Sequence, residues 1–282
     1  MRTKLISAPY TIWMTLFIIV PMGLVAFFAF TDKSGAFTLD NIARVGQYSN
    51  VFLRSIWLGA LATFISLLLG YPLAYIIAKA APNRQSFLIL LIMLPMWMNF
   101  LLRTYAWMSI LENTGLLNRL FQAIGLIDLV NHIFGTEFQY FPMINTQGAV
   151  VLGMVYNYLP FMILPIYSVI IKMDNSLLEA AQDLGANSSL TFRKVILPLS
   201  LPGVLSGITM VFVPAVSTFA ISRLLGGNNQ TLLGNLIEMQ FVGTAYNPHL
   251  GSAIAMVMMV IVVVCMYVMN RFGEGEEQAV ML

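Results

Sequence analysis

Charge is what this sequence has least of: only 9% of its 282 residues are charged and 59% are hydrophobic, whereas about a quarter of an ordinary soluble domain is charged. A mean hydropathy of +0.83 excludes water as the principal solvent. A soluble particle of this composition would be coated in apolar patches, which soluble monomers hold to about 300–600 Å². The bilayer resolves the conflict. Cysteine is almost absent too. The one thiol, Cys265, lies in an apolar run where it reads as a small hydrophobe, so neither a disulfide framework nor a cysteine metal site can be built. The formal net charge is +2, which favours no strongly charged partner and argues against nucleic acid.

Catalytic signatures are missing as well. No Gly-x4-Gly-Lys-Ser/Thr loop occurs and no lysine follows a glycine, so the usual backbone cradle for ATP phosphates is lacking and no ATP or magnesium is expected to be bound by this chain. His-Glu-x-x-His and Gly-x-Ser-x-Gly do not occur, and His132 and His249 stand apart in predicted outer loops. No group of His, Cys and carboxylates has ligand spacing. We therefore expect no enzyme, no catalytic residue and no metal.

What the chain does have is long apolar runs. About 20 residues at 1.5 Å rise cross a hydrocarbon core of roughly 30 Å, and six runs approach that length: 10–30, 56–78, 87–111, 148–171, 201–225 and 250–270. The expected fold is an all-α, six-span membrane protein forming one domain over residues 1–282. The first run follows Arg2 and Lys4 but is long for a secretory signal and contains no clean Ala-x-Ala site, so it reads as an uncleaved span. Six spans put both termini on one side. Placing them in the cytoplasm sets Arg2, Lys4, Lys79, Arg84, Lys172, Arg193, Lys194 and Arg271 inside. Lys33, Arg44, Arg54, Arg119 and Arg223 then lie outside, the bias that the positive-inside rule favours. Prolines at 72, 95, 160, 165, 202 and 214 fall in or beside these runs, where each removes a helix hydrogen bond that neighbouring groups must replace.

The cytoplasmic segment 172–200 holds the most information. Ser176 and Glu179 have capping-box spacing, Leu177, Ala181 and Leu184 recur on one helical face, and Gly185 is placed to end that helix left-handed. A second helix starts at Ser188 or Ser189. Two readings stand: a surface hairpin, or an exposed amphipathic helix that a soluble partner grips. Glu179-Ala180-Ala181, with Gly185 and the later Val195-x-Leu197-Pro198, resembles the cytoplasmic Glu-Ala-Ala loop of bacterial ABC importer permeases. The resemblance implies the type I, MetI-like permease fold in the bacterial inner membrane. It also implies that Glu179, Ala180, Ala181, Gly185, Leu197 and Pro198 couple to an ATPase. Leu69-Gly-Tyr-Pro-Leu-Ala-Tyr75, Leu102-Arg-Thr-Tyr-Ala106, Tyr158-Leu-Pro-Phe-Met162 and Leu233-Gly-Asn-Leu-Ile-Glu-Met-Gln-Phe241 are similar to the spermidine/putrescine permeases of the PotB type. By that resemblance the partners are an ATPase subunit dimer, a second and different permease, and an extracytoplasmic polyamine-binding protein. Import of sulfate, iron or another small solute is the alternative cargo, and a stand-alone carrier or channel the alternative class.

A small cationic substrate would call for carboxylates and aromatic faces. Trp97, Tyr105, Trp107, Tyr156, Tyr158 and Phe219 are pathway candidates that packing or an interfacial belt explains as well. No acidic residue lies deep in a run, and the outer candidates are Glu112, Asp128, Glu137 and Glu238. Arg103 sits about 16 residues from the inner end of its run, roughly 24 Å. There it either snorkels to the outer face, pairs with a group such as Glu112, or serves the pathway. Ser217, with Thr218 and Ser222, forms a polar cluster that serves either the path or helix-to-helix hydrogen bonding. Apolar positions between 116 and 127 suggest a short outer helix on the membrane face.

Overall fold

The computed structural model describes residues 9–280 apart from Thr244, so Arg2 and Lys4, assigned above to the inner face, lie outside the described residues. The described chain is helical, with only an isolated bridge between Thr31 and Phe37 outside that pattern. Five helices are long and apolar enough to cross a membrane, and six if one sharply bent pair counts as a broken span. In chain order we label α1 (Pro9–Ala29), α2 (Asp40–Val45), α3 (Ser49–Lys79), α4 (Pro82–Met93) and α5 (Phe100–Leu111). There follow α6 (Leu116–Ala123), α7 (Leu126–Phe134), α8 (Gln147–Ile170) and α9 (Asn175–Asp183). The chain then forms α10 (Ser188–Ser217), α11 (Ala220–Leu225), α12 (Leu233–Phe241) and α13 (Pro248–Val280).

The centre is a three-helix contact between α3, α8 and α10. Lipid tails are as apolar as leucine, so helices here associate through close packing more than through the hydrophobic effect, and small residues let backbones approach. Gly203 on α10 shows the limit: a Cβ there would meet the Pro165 carbonyl oxygen at 2.9 Å and Ile166 Cα at 3.1 Å. Gly59 faces Val216, and Gly70 faces Met162 and Ile163. Buried side chains fill the remaining space: Leu58, Ala62, Val150, Met154 and Ile221 toward the outer half, Tyr71, Ala74, Ile163, Ile166 and Val211 toward the inner half. Helix α1 stands apart from this core and packs on α13. His249, expected in an outer loop, is instead in the first turn of α13. There its ring packs edge-on to Phe28 and its Nδ1 lies 3.1 Å from the Phe28 carbonyl oxygen, tying α13 to α1. His132 is likewise helical, in α7.

Two of the predicted runs are not single helices. The run 87–111 breaks after a 3-10 turn at Leu94–Trp97, and the segments Pro82–Trp97 and Phe100–Ala123 meet at 88°. Pro95 removes an amide from the ladder, and Asn99 starts a new helix by accepting hydrogen bonds from the N–H groups of Leu101 and Leu102. The run 201–225 begins earlier, at Ser188, and is interrupted at Thr218, which takes an extended conformation. Pro214 already weakens that turn, and α11 resumes two residues later. The outer helix expected near 116–127 is also divided, with Gly125 separating α6 from α7.

Candidate functional site

The end of the molecule expected on the inner side is built around α9. Its N-terminal cap is Asp174, not Ser176: the Asp174 carboxylate accepts from the Ser176 N–H at 2.9 Å, so the expected capping box between Ser176 and Glu179 is replaced by a cap two residues upstream. These hydrogen bonds hold the Asp174 carboxyl below its ordinary range. At the other end the Ala186 N–H reaches the Ala181 oxygen at 3.0 Å and the Gly185 N–H reaches Gln182 at 2.8 Å. Gly185 takes φ +81°, which closes a left-handed C-cap. Asn187 caps the next helix, accepting from the Leu190 N–H at 2.9 Å.

No residue of α9 is buried. Leu184 is 89% exposed and Leu177 is exposed two turns before it, so the apolar face legible in the sequence is covered by none of the described residues. Glu179, Ala180, Gly185, Leu197 and Pro198 are also exposed, with Ala181 half-buried. Behind this face α10 begins, and its first turns include a π-helical segment, Phe192–Ile196. Phe192 packs edge-on against both Tyr71 and Tyr75 of α3, with ring centroids 5.8 and 5.3 Å apart. The Tyr71 and Ser200 hydroxyls lie 2.7 Å apart. Gln85 adds a second tie at this end, donating to the Ala78 and Ala80 carbonyls while accepting from the Tyr167 hydroxyl. The 188–196 segment is thereby tied directly to α3. Sequence reasoning passed over this aromatic link, because Tyr71 and Phe192 are 121 positions apart and nothing local marks them as a pair.

Deeper in the membrane, Arg103 overturns the expectation of snorkelling. It is only 8% exposed, its Nε and Nη1 have no hydrogen-bond partner, and no pair with Glu112 is formed among the described residues. Its helix turns at 88° to the preceding one, so the distance to the outer face counted along a straight span does not apply. Trp107, one turn along, packs edge-on to Tyr156 at 5.3 Å. Trp97 and Tyr105 stand exposed on the two arms of the bent pair and join none of these contacts.

The break in the fifth run does gather predicted residues. Ser217 donates to its own helix at the Val213 carbonyl, 3.0 Å away, while Ser222 bonds the Asn235 side chain. The Asn235 amide donates to the Phe219 carbonyl at 3.0 Å, and the Leu233 N–H donates to Ser55 Oγ at 2.9 Å. Helix α12 is thus pinned against the break. Gly234 makes this possible, because a Cβ there would meet the Ser217 and Thr218 carbonyl oxygens at 2.5 Å. Glu238, one turn beyond Asn235, accepts from Arg223 of α11 at 2.6 Å, and Phe219 remains half exposed. Ser217, Phe219 and Glu238 therefore lie around one locus, although they are far apart in hydropathy terms.

Comparison with known proteins agrees with this architecture. Residues 2–274 match the family of binding-protein-dependent transport system inner membrane components. The spermidine/putrescine transport system permease protein PotB of Haemophilus influenzae is 36% identical over 270 residues, 93% of this chain and 91% of that protein. PotB of Escherichia coli K12 is 37% identical over 238 residues, 82% and 83% of the two chains. Among solved structures, a chain of a bacterial ABC transporter involved in import of the acidic polysaccharide alginate superposes with a TM-score of 0.76. That match is 18% identical and covers 97% of this chain and 96% of the other. A broken, all-helical, multi-span chain that matches this family from residue 2 to residue 274 belongs to the inner-membrane permease components of binding-protein-dependent ABC transport systems.

Proposed function

We propose that this chain is the permease subunit of an ATP-driven polyamine importer, forming half of the pore beside a second and different permease. The observation that carries the coupling role is the uncovered apolar face of α9, with Leu184 89% exposed and Glu179 exposed on the same short helix segment. An exposed amphipathic helix held at both ends by caps is a rigid element that a partner's groove can grip. In this reading one subunit of an ATPase dimer holds the 172–200 segment through Glu179, Ala180, Ala181 and Gly185, with Leu197 and Pro198 just after the π-helical segment of α10. ATP and magnesium belong to that partner. Closure of the dimer moves α9, Phe192 carries the motion to Tyr71 and Tyr75, and α3 and α10 change the pore from inward-facing to outward-facing. An extracytoplasmic binding protein then delivers spermidine or putrescine to the outer face, and both termini lie in the cytoplasm.

The cargo assignment is supported by the identity of 36–37% to two PotB proteins over most of both chains. Its test is uptake of labelled spermidine into proteoliposomes that hold this chain with its partner permease, ATPase and binding protein. Uptake that requires ATP and binding protein and that putrescine, but not sulfate, competes away is the expected result. ATP hydrolysis stimulated by binding protein without spermidine uptake would discard the cargo and keep the permease.

A further inference from the structure

Between α11 and α12 lies a cavity of about 430 Å³ lined by Arg223, Thr231, Asn235, Glu238 and Met239, among others. We propose that it is an ammonium subsite in which Glu238 is the fixed anion and Arg223 an exchangeable counter-ion, holding the place of the cargo's terminal ammonium until cargo arrives. The inference rests on the polyamine reading and adds to it the site and the exchange.

The asymmetry of the pair identifies which partner moves. The Glu238 side chain is 28% exposed and that of Arg223 66%. Glu238 rides on a helix anchored at its first turn by Ser55, Ser222 and the Phe219 carbonyl. The guanidinium, at the end of a long flexible stem, touches the carboxylate through Nη1 alone at 2.6 Å, short of the two-pronged fork that makes arginine–carboxylate pairs strong. An exposed pair of this kind adds little stability. A primary ammonium can therefore displace it at small cost, while the released guanidinium returns to water. The surroundings suit a cation. Helix α10 ends at Ser217 and directs the negative end of its dipole toward the break. The Asn235 amide joins the break to the turn that carries Glu238, and Asn235 and Thr231 add polar groups to the cavity lining. The cation-free state keeps Glu238 neutralised, so no bare carboxylate waits at the membrane surface.

The test is binding of radiolabelled spermidine to the detergent-solubilised complex of both permeases and the ATPase, without binding protein, in wild type and three variants. Glu238→Gln should weaken binding about tenfold, the scale of one charge-assisted hydrogen bond. Glu238→Asp should recover part of that loss. Arg223→Gln should tighten binding about threefold, because it removes an exposed competitor, and a folding defect cannot mimic a gain. Undetectable binding in wild type, unchanged binding in Glu238→Gln, or weaker binding in Arg223→Gln would each overturn the subsite; the last is what a purely structural ion pair predicts. ATP-driven spermidine uptake by the wild-type complex separates the two levels. If uptake occurs and the variants fail to diverge, the subsite alone is wrong; if uptake is absent, the cargo reading falls with it.

Discussion

Single residues set the geometry at both ends of this protein. At the inner end Gly185 holds φ +81°, a conformation that a β-branched side chain adopts only with strain of about 1–3 kcal/mol. Gly185→Val should release the C-cap of α9 and abolish spermidine uptake while the protein still inserts at normal levels, measured by transport against membrane content. Glu179→Lys should have the same effect without touching the cap, because it reverses the charge on the exposed face. Asp174 behaves differently with pH. Hydrogen bonds lower its folded pKa, so its cap is fully present above the unfolded carboxylate range and is lost only as pH falls through the depressed folded value. Coupling through α9 should accordingly show no loss attributable to this cap between about pH 5 and 8, read from stimulated ATP hydrolysis across that interval. At the outer end Gly234 lets α12 approach the broken helix, and its added Cβ would stand 2.5 Å from two carbonyl oxygens.

At the scale of elements, the proposed coupling makes the 188–196 segment a lever whose bearing is aromatic. Phe192 touches Tyr71 and Tyr75, so Phe192→Ala should leave α9 free to dock while its movement no longer reaches α3. The expected outcome is ATP hydrolysis that persists with uptake per ATP reduced severalfold, measured in the same vesicles. Equal loss of both activities would assign Phe192 to docking or folding. The α8–α10 crossing makes a separate prediction. Gly203→Leu places a side chain against the Pro165 carbonyl, 2.9 Å from the position of its Cβ. Overpacking of this kind costs on the order of 1–3 kcal/mol, and a lowered thermal transition of the purified protein would report it.

At the scale of the whole molecule, the chain packs one core and leaves other faces open. Its membrane core packs between α3, α8 and α10, while α1 packs chiefly along α13, with Asn41 of α2 at its end, and no described residue covers the apolar face of α9. Arg103, buried with two unpartnered nitrogens, belongs to the same picture, since no acidic residue among the described residues pairs with it. These features concern the assembled transporter, and the spermidine uptake assay is the measurement that belongs to this scale.

The sequence by itself determined the solvent, the apolar runs and the short helix of the 172–200 segment, because hydropathy and helix signals act over one turn to one span. Leu177, Ala181 and Leu184 on one face, and Gly185 at its end, were legible for that reason. The capping box was misjudged because Asp174 competes for the same amide and wins by position. Only the tertiary structure decided where spans break and what meets at the breaks. Pro95 and Pro214 look alike to Pro160 and Pro165, which α8 absorbs without interruption. The difference lies in what replaces the lost hydrogen bonds: Asn99 at one break, and α12 with Asn235 at the other. Arg103 was placed by counting along a straight helix, and the 88° bend removed that ruler. The meeting of Arg223 with Glu238, and of Phe192 with Tyr71, depends on chain segments brought together by packing, a relation that no local pattern of residues encodes.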